Sequence, residues 1–428
     1  MIRSVFTVAS LLLSVTVTSL AAGETILVST STAGGSGAGS SYLPYISPNG
    51  RFVCYVSEAG DIVEGDGNGK RDVFLFDVQK RTNLLVSTGV GGVAANGISE
   101  SAMPSANGRW VPFSSGATNL VVGDGNGFID AFLYDSKTKT IERVSLGEGG
   151  EEGDWITYGQ GVSPSGRFVL LGSVATNLVA DDTNGKRDVF LRDRKTGTTE
   201  RVSLTSAGGE ADADCFVFVQ PMTPDARYIT FYSAATNLVG GNPNPGGNSV
   251  YVRDRKAGTT TLVSLTAQGQ PAIGDNKVAA ISKNGRFVAF YSNAALVSED
   301  TNGAYDAYMR DLKAGTVRRV SLGNGGVEGN GTSLLRSMSG NARFVGFVSE
   351  ADNLVDGDVN GKPDAFVRDL KTGVTTRVSV ATDGSEGDLD SNWPFISDNG
   401  RWISFYSEAT NLITGDNNGA GDVFLRRR

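Results

Sequence analysis

The pattern Asp-x-Asn-Gly-x-x-Asp recurs six times along the chain, at Asp66/Asn68/Asp72, Asp124/Asn126/Asp130, Asp182/Asn184/Asp188, Asp300/Asn302/Asp306, Asp358/Asn360/Asp364 and Asp416/Asn418/Asp422. Two carboxylates, an amide oxygen and the carbonyls of a glycine turn are the hard oxygen ligands that Ca2+ takes. Each copy is therefore a candidate calcium loop, and Ca2+ is the one cofactor the chain suggests. The same residues also serve without a metal, because Asp and Asn side chains cap their own backbone in Asx-turns and Asn-Gly accepts positive φ. Where a further copy belongs stand Asn242, Asn244 and then Asn248-Ser249, with both acids gone.

A second group of chemically capable residues does not repeat. Trp155, Tyr158, Phe216, Phe218 and Trp393 are accompanied by the acids Glu100, Asp154, Asp212, Asp214, Asp388 and Asp390. Aromatic platforms beside carboxylates suit carbohydrate binding, and a pair of carboxylates can hydrolyse a glycosidic bond. Asp154, Trp155, Tyr158, Asp212, Asp214, Phe216, Asp390 and Trp393 form the candidate ligand-binding set, and no catalytic set is assigned. The chain has no histidine, which removes Ser-His and Cys-His nucleophile pairs and the usual zinc sites.

The elements that must position these residues follow from a repeat. An Asn-Gly-Arg-Phe type turn places its arginine at Arg51, Arg109, Arg167, Arg227, Arg286, Arg343 and Arg401, at spacings of 58, 58, 60, 59, 57 and 58. Each unit holds four strand-like segments separated by turn residues, the pattern of a propeller blade. The last unit ends at Asp422-Val423-Phe424-Leu425 without its Val-Ser strand, and the missing strand stands at the other end, in Thr25-Ile26-Leu27-Val28-Ser29. From Ser29 to Arg51 is 22 residues, the step that separates Ser87 from Arg109 and Ser145 from Arg167. The expected fold is all-β: a seven-bladed β-propeller with four strands per blade, closed by an N-terminal strand that completes blade seven. With the Leu43–Ser47 type strand innermost, the DxNG loops and the Gly-rich connections share one face. That face carries the longer, more varied loops and the channel mouth, and is the better candidate for function.

The repeated arginines read as structural. Arg167 begins one strand and Asp193 ends its antiparallel neighbour, so the two lie side by side and can pair bidentately. Arg51/Asp77, Arg109/Asp135, Arg227/Asp254, Arg286/Asp311 and Arg343/Asp369 repeat the arrangement, whereas Arg401 meets Arg427. Segments such as Ser163-Pro164-Ser165-Gly166-Arg167-Phe168 and Asp188-Val189-Phe190-Leu191-Arg192-Asp193 resemble the TolB-type, WD-repeat-like propellers of bacteria, over all seven units. The resemblance implies a propeller that offers a central channel and one loop face to partners, in a family of scaffolds, binding proteins and propeller domains of enzymes. The DxNG pattern is also similar to the integrin-type calcium loops of propellers, two residues shorter and without the middle carboxylate.

Residues 1–21, with Arg3, the apolar run Val5 to Leu20 and Ser19-Leu20-Ala21, read as a secretory signal peptide. Residues 22–428 are then expected to form a single propeller domain, secreted or periplasmic, monomeric and with no membrane span after cleavage. A net charge of −8, with both signs interspersed, argues against nucleic acid as the partner. Cys54 and Cys215 fall three blades apart and are expected as buried thiols rather than a disulfide. The function expected is a non-catalytic binding module for a protein or glycan. The alternative is a carbohydrate-active hydrolase or lyase with carboxylates at the channel mouth.

Overall fold

Runs such as Asp-Val-Phe-Leu set β-branched and aromatic residues between turn signals, and a strand packed between two layers buries both of its faces. The structure, a computed structural model, describes residues 20–101, 103–240 and 244–428. The segment read as a signal peptide therefore lies outside the described residues, apart from Leu20 and Ala21, as does Asn242. Seven antiparallel sheets of four strands follow one another around a channel. In the first, β2 (Ser41–Ile46) is innermost, followed by β3 (Phe52–Ser57), β4 (Asp72–Asp77) and β5 (Thr82–Leu85). The last sheet has the order β1-β28-β27-β26, with β1 (Thr25–Leu27) outermost on β28 (Asp422–Arg427), β27 (Trp402–Ser407) and β26 (Ser391–Ile396). Thr25 pairs with Arg426, Ile26 with Leu425 and Leu27 with Phe424, so the first strand completes the seventh blade as the 22-residue step requires.

The core lies between blades. Phe74, Phe132, Phe190, Tyr251, Tyr308, Phe366 and Phe424, one from each third strand, are fully buried. Six of them meet a ring of the second strand at centroid distances of 5.5 to 6.2 Å, as in Tyr55–Phe74 and Phe290–Tyr308. Such pairs are worth about 0.5–1.5 kcal/mol each beyond their buried area. The Asn-Gly-Arg turn stitches neighbouring blades together. Gly108 has φ +66, and a Cβ there would lie 2.1 Å from the Phe52 ring of the preceding blade, so only glycine fits. Cys54 and Cys215 are both buried and are not joined in a disulfide. No helix among the described residues is long and apolar enough to cross a membrane.

All six Arg–Asp pairs read from the repeat form with two hydrogen bonds or more each, as in Arg109 Nε and Nη2 to Asp135 at 2.9 and 2.7 Å. The guanidinium also stacks on the aromatic residue that follows it, 4.4 Å from the Trp110 centroid for Arg109. These bonds hold Asp135, Asp193 and Asp254 down to about 2, from an ordinary 3.8. A carboxyl whose folded pKa is depressed stabilises the fold above its unfolded pKa and ceases to do so as pH falls through the folded one. We expect the melting temperature to fall between pH 4 and pH 2, and the Asp193→Asn variant to lose less over that interval than the parent. Thermal melts of the two proteins across this range check it, and parallel curves would refute it.

Candidate functional site

The second aspartate of each DxNG motif is a buried joint. Asp72 accepts Ser87 Oγ on Oδ1 and Asn68 Nδ2 on Oδ2, both at 2.5 Å. The same bonds recur at Asp130 with Ser145 and Asn126, at Asp306 with Ser321 and Asn302, and across the closure at Asp422 with Ser29 and Asn418. Asp188 is held likewise by Ser203 and Asn184, and Asp364 by Ser379 and Asn360. The asparagine also donates to a carbonyl of the next connection, Asn68 to Ala95 at 2.9 Å and Asn126 to Gly153 at 3.0 Å. Asn184 donates in the same way to Ala211 at 3.1 Å, and Asn360 to Gly387 at 2.8 Å.

The amide oxygens that a calcium loop would offer are taken as well. Asn184 Oδ1 accepts the backbone N–H of Lys186 at 2.8 Å, and Asn360 Oδ1 that of Lys362 at 2.7 Å. Asn68, Asn126, Asn302 and Asn418 accept the N–H two residues on in the same manner. Each of these six asparagines is an Asx-turn cap whose amide ties third strand, turn and the next connection together. That role explains the repetition of the motif without a metal.

In four of the six copies a cation already sits among the acids, and it is a guanidinium. Arg143 lies 3.1 Å from Asp124 and 3.7 Å from Asp130, and pairs with Glu152. Arg201 does the same for Asp182, Asp188 and Glu210, Arg319 for Asp300, Asp306 and Glu328, and Arg377 for Asp358, Asp364 and Glu386. Asp358, Asp364 and Glu386 bring carboxylate oxygens within 4.8 Å of one another, but Arg377 is the cation between them. Burial still pushes Asp182 up to about 6 despite Arg201. The six loops are therefore not equivalent: four hold a guanidinium among their acids. At the arginine's register position blades one, four and seven carry Leu85, Leu262 and Leu27, and at the glutamate's position Ala94, Pro271 and Ser36.

The candidate ligand-binding residues divide into two groups. Asp154 and Asp212 are loop caps: each accepts the backbone N–H and hydroxyl of a threonine, Thr176 and Thr236. Asp388 does the same for Thr410. Asp390 is half-buried, and its backbone carbonyl accepts Glu408 N and Ser407 Oγ. Trp155 lies on the loop face, 49% exposed, against Phe128.

Tyr158 and Phe216, by contrast, meet at the channel mouth. Each is the second residue of an inner strand, in β10 (Thr157–Val162) and β14 (Cys215–Phe216), and period two turns both away from the blade interior. Arg187 lies between them, 4.8 Å from the Tyr158 centroid and 5.4 Å from that of Phe216. Its Nε is buried without a hydrogen-bond partner among the described residues, and burial lowers its pKa. Asp214 accepts the Arg187 backbone N–H at 2.9 Å. The arc continues through Tyr232, stacked on Phe216 at 5.4 Å, to Lys277, Asp275, Tyr291 and Tyr305.

Below this arc the channel holds a cavity of about 180 Å³ lined by Tyr45, Glu100, Tyr158, Gln160, Phe218 and Trp393 among others. Trp393, with φ 57, packs on Phe218 at 5.5 Å and lies 4.3 Å below the Arg336 guanidinium. Arg336 is 9% exposed, donates to Asn392 at 3.1 Å, and has its pKa pushed down to about 10 by burial. The opposite end of the channel is bridged. Lys283 pairs with Asp398 from two blades away, Asp398 N donates to Pro48, and Gln220 accepts Met338 N.

An oligogalacturonate lyase solved in complex with manganese superposes on this chain with a TM-score of 0.53 at 12% identity, over 95% of this chain and 98% of its own. The oligogalacturonate lyase of Vibrio parahaemolyticus gives 0.52 at 12% identity, over 90% and 89%. TolB of Acinetobacter baumannii gives 0.42 at 15% identity, over 77% of this chain and 64% of TolB, so the match spans less than two thirds of that protein. The likeness is one of fold. No protein-family model matches the chain, and no curated protein matches it in sequence.

The residues of the mouth that sequence reasoning missed are Arg187, Arg336, Lys277, Asp275 and the tyrosines of the second strands. Arg187 occupies a variable position of the DxNG motif, directly before Asp188, where the other blades carry Arg71, Ile129, Asn248, Tyr305, Pro363 and Gly421. A comparison of the variable positions, rather than of the repeated ones, is the signal that finds it.

Proposed function

We propose that this chain is an exported, non-catalytic binding module whose channel mouth holds an oligosaccharide bearing carboxylate groups. The observation that carries the reading is Arg187, sandwiched between the Tyr158 and Phe216 rings, with no carboxylate among the described residues hydrogen-bonded to its guanidinium. Flat rings take the apolar faces of sugar rings, and a guanidinium held between them offers a preorganised fork to a carboxylate. Arg336 places a second positive charge deeper in the channel, also without an acidic hydrogen-bond partner among the described residues. The hydrolase or lyase alternative, built on carboxylates such as Asp154, Asp212 and Asp390, has less support, because the first two are engaged as caps of Thr176 and Thr236.

A protein partner is the second reading, favoured by apolar side chains on the same face. Val122, Val359 and Trp155 are 90%, 84% and 49% exposed, all on loop-face connections. Titration with polyuronate oligomers and with neutral glucan oligomers of equal length separates the readings. We expect the polyuronate to bind and Arg187→Ala to weaken it about tenfold or more, the loss of a charge-assisted hydrogen bond of ~1.5–3 kcal/mol. Equal binding of both oligomers, or binding untouched by Arg187→Ala, would overturn the proposal. Turnover of the polyuronate would restore the enzymatic alternative.

A further inference from the structure

The DxNG loop of blade one differs from the other five at a single oxygen. In blades two, three, five and six Oδ1 of the first aspartate faces a guanidinium, Asp124–Arg143 at 3.1 Å and Asp182–Arg201, Asp300–Arg319 and Asp358–Arg377 at 3.3 Å. In blade seven the Ser36 hydroxyl bonds to Asp416. In blade one the arginine is replaced by Leu85 and the serine or glutamate by Ala94. Asp66 is 5% exposed, and its Oδ1 is buried with no hydrogen-bond partner among the described residues. Beside it Asp72 is fully buried. In three other blades the guanidinium also reaches the carbonyl before the first aspartate, at Asp181 (3.0 Å), Glu299 (2.8 Å) and Gly357 (2.9 Å). Its counterpart in blade one is Gly65.

A buried polar atom left without a partner is destabilising, and more so when charged. Two adjacent buried carboxylates add repulsion to that cost. In four blades the chain relieves both with an arginine; in blade one no positive side chain among the described residues pairs with either carboxylate. We propose that the blade-one loop binds one divalent cation through Asp66, Asp72 and the carbonyl of Gly65, in the place a guanidinium fills in four other blades. The donors are all hard oxygens, two of them carboxylates on a turn rich in backbone carbonyls, which selects Ca2+ over softer metals. This inference is independent of the channel reading.

Calorimetric titration of the chelator-treated full chain with CaCl2 tests it. We expect one equivalent to bind and the melting temperature to rise with Ca2+. The double variant Leu85→Arg/Ala94→Glu imports the ion pair of the other blades, and we expect it to bind Ca2+ at least about tenfold more weakly, a change of ~1.4 kcal/mol. Asp66→Asn, which preserves shape while removing the charge, has the same expected effect and carries the test if the double variant does not fold. No uptake at Ca2+ up to about 1 mM, the weak end of known extracellular sites, overturns the proposal. So does uptake that is equal in the parent and in Asp66→Asn.

Discussion

Removal of Glu24–Ser29 is expected to unfold the ring at physiological temperature or to leave it open. Of the six residues removed, Leu27 and Val28 are 7% and 0% exposed, and full burial of such side chains contributes about 1.5–3 kcal/mol each. Ser29 is also lost, and with it the bond from its Oγ to Asp422 Oδ1 at 2.6 Å and the one it accepts from Val423 N at 3.1 Å. Asp422 is fully buried, so its carboxylate would be left short of a donor at a further cost of about 1–3 kcal/mol. The strand's backbone bonds to β28 go as well, which exposes a long edge on an otherwise closed ring. The sum is about 5 kcal/mol or more, comparable with the whole stability of an ordinary domain. Urea and thermal melts of the truncated chain beside Ser29→Ala measure it. The point variant should lose about 1–3 kcal/mol and the truncation several times that. A truncation as stable as the parent would show that the ring does not depend on its first strand.

This closure was legible in the sequence because it is a matter of counting. Each blade solves the same packing problem, so the turn arginine and the Val-Ser strand recur at a nearly constant step, and one displaced strand shows as a gap at one end and a surplus at the other. The Arg–Asp pairs were legible for the same reason: strand register alone places Arg167 beside Asp193. What the repeat concealed lies outside its fixed positions. Arg143 stands 13 residues after Asp130, and Glu152 a further 9, on a strand and a connection that no motif links. The DxNG residues alone offer calcium ligands in all six loops and give no sign of the guanidinium that the fold places in four of them. Asp154 and Asp212 looked uncommitted because their partners, Thr176 and Thr236, lie 22 and 24 residues on. Those threonines belong to the repeated Ala-Thr-Asn-Leu loop, so the recurrence of that loop was the available clue. Tyr158 and Phe216 stand out because they break the repeat, whereas Arg187 sits at a variable position inside a motif whose fixed residues are otherwise regular.

The arginine that fills four of these loops is expected to be indispensable only while its glutamate is present. Arg319 is 4% exposed at its side chain and contacts Asp300, Asp306 and Glu328 at 3.3, 3.5 and 2.5 Å. Arg319→Leu leaves three neighbouring carboxylates with no cation, and breaking a buried ion pair from one side costs about 3–5 kcal/mol. Arg319→Leu/Glu328→Ala instead reproduces the arrangement of blade one, where Leu85 and Ala94 stand at the same positions and the remaining acids number two. The double variant should therefore recover a large part of the loss, and the coupling between the two substitutions should be strongly non-additive. The sign of the pH effect follows from the charges. Burial already raises Asp306, and Arg319 opposes that rise. Without the arginine the folded pKa of Asp306 climbs further above its unfolded value, so the stability lost is greater at pH 8 than at pH 5. Urea unfolding of the parent and both variants at the two pH values reads all three expectations. If the single and double variants were equally destabilised, the arginine would act by packing alone rather than as the counter-ion of the loop.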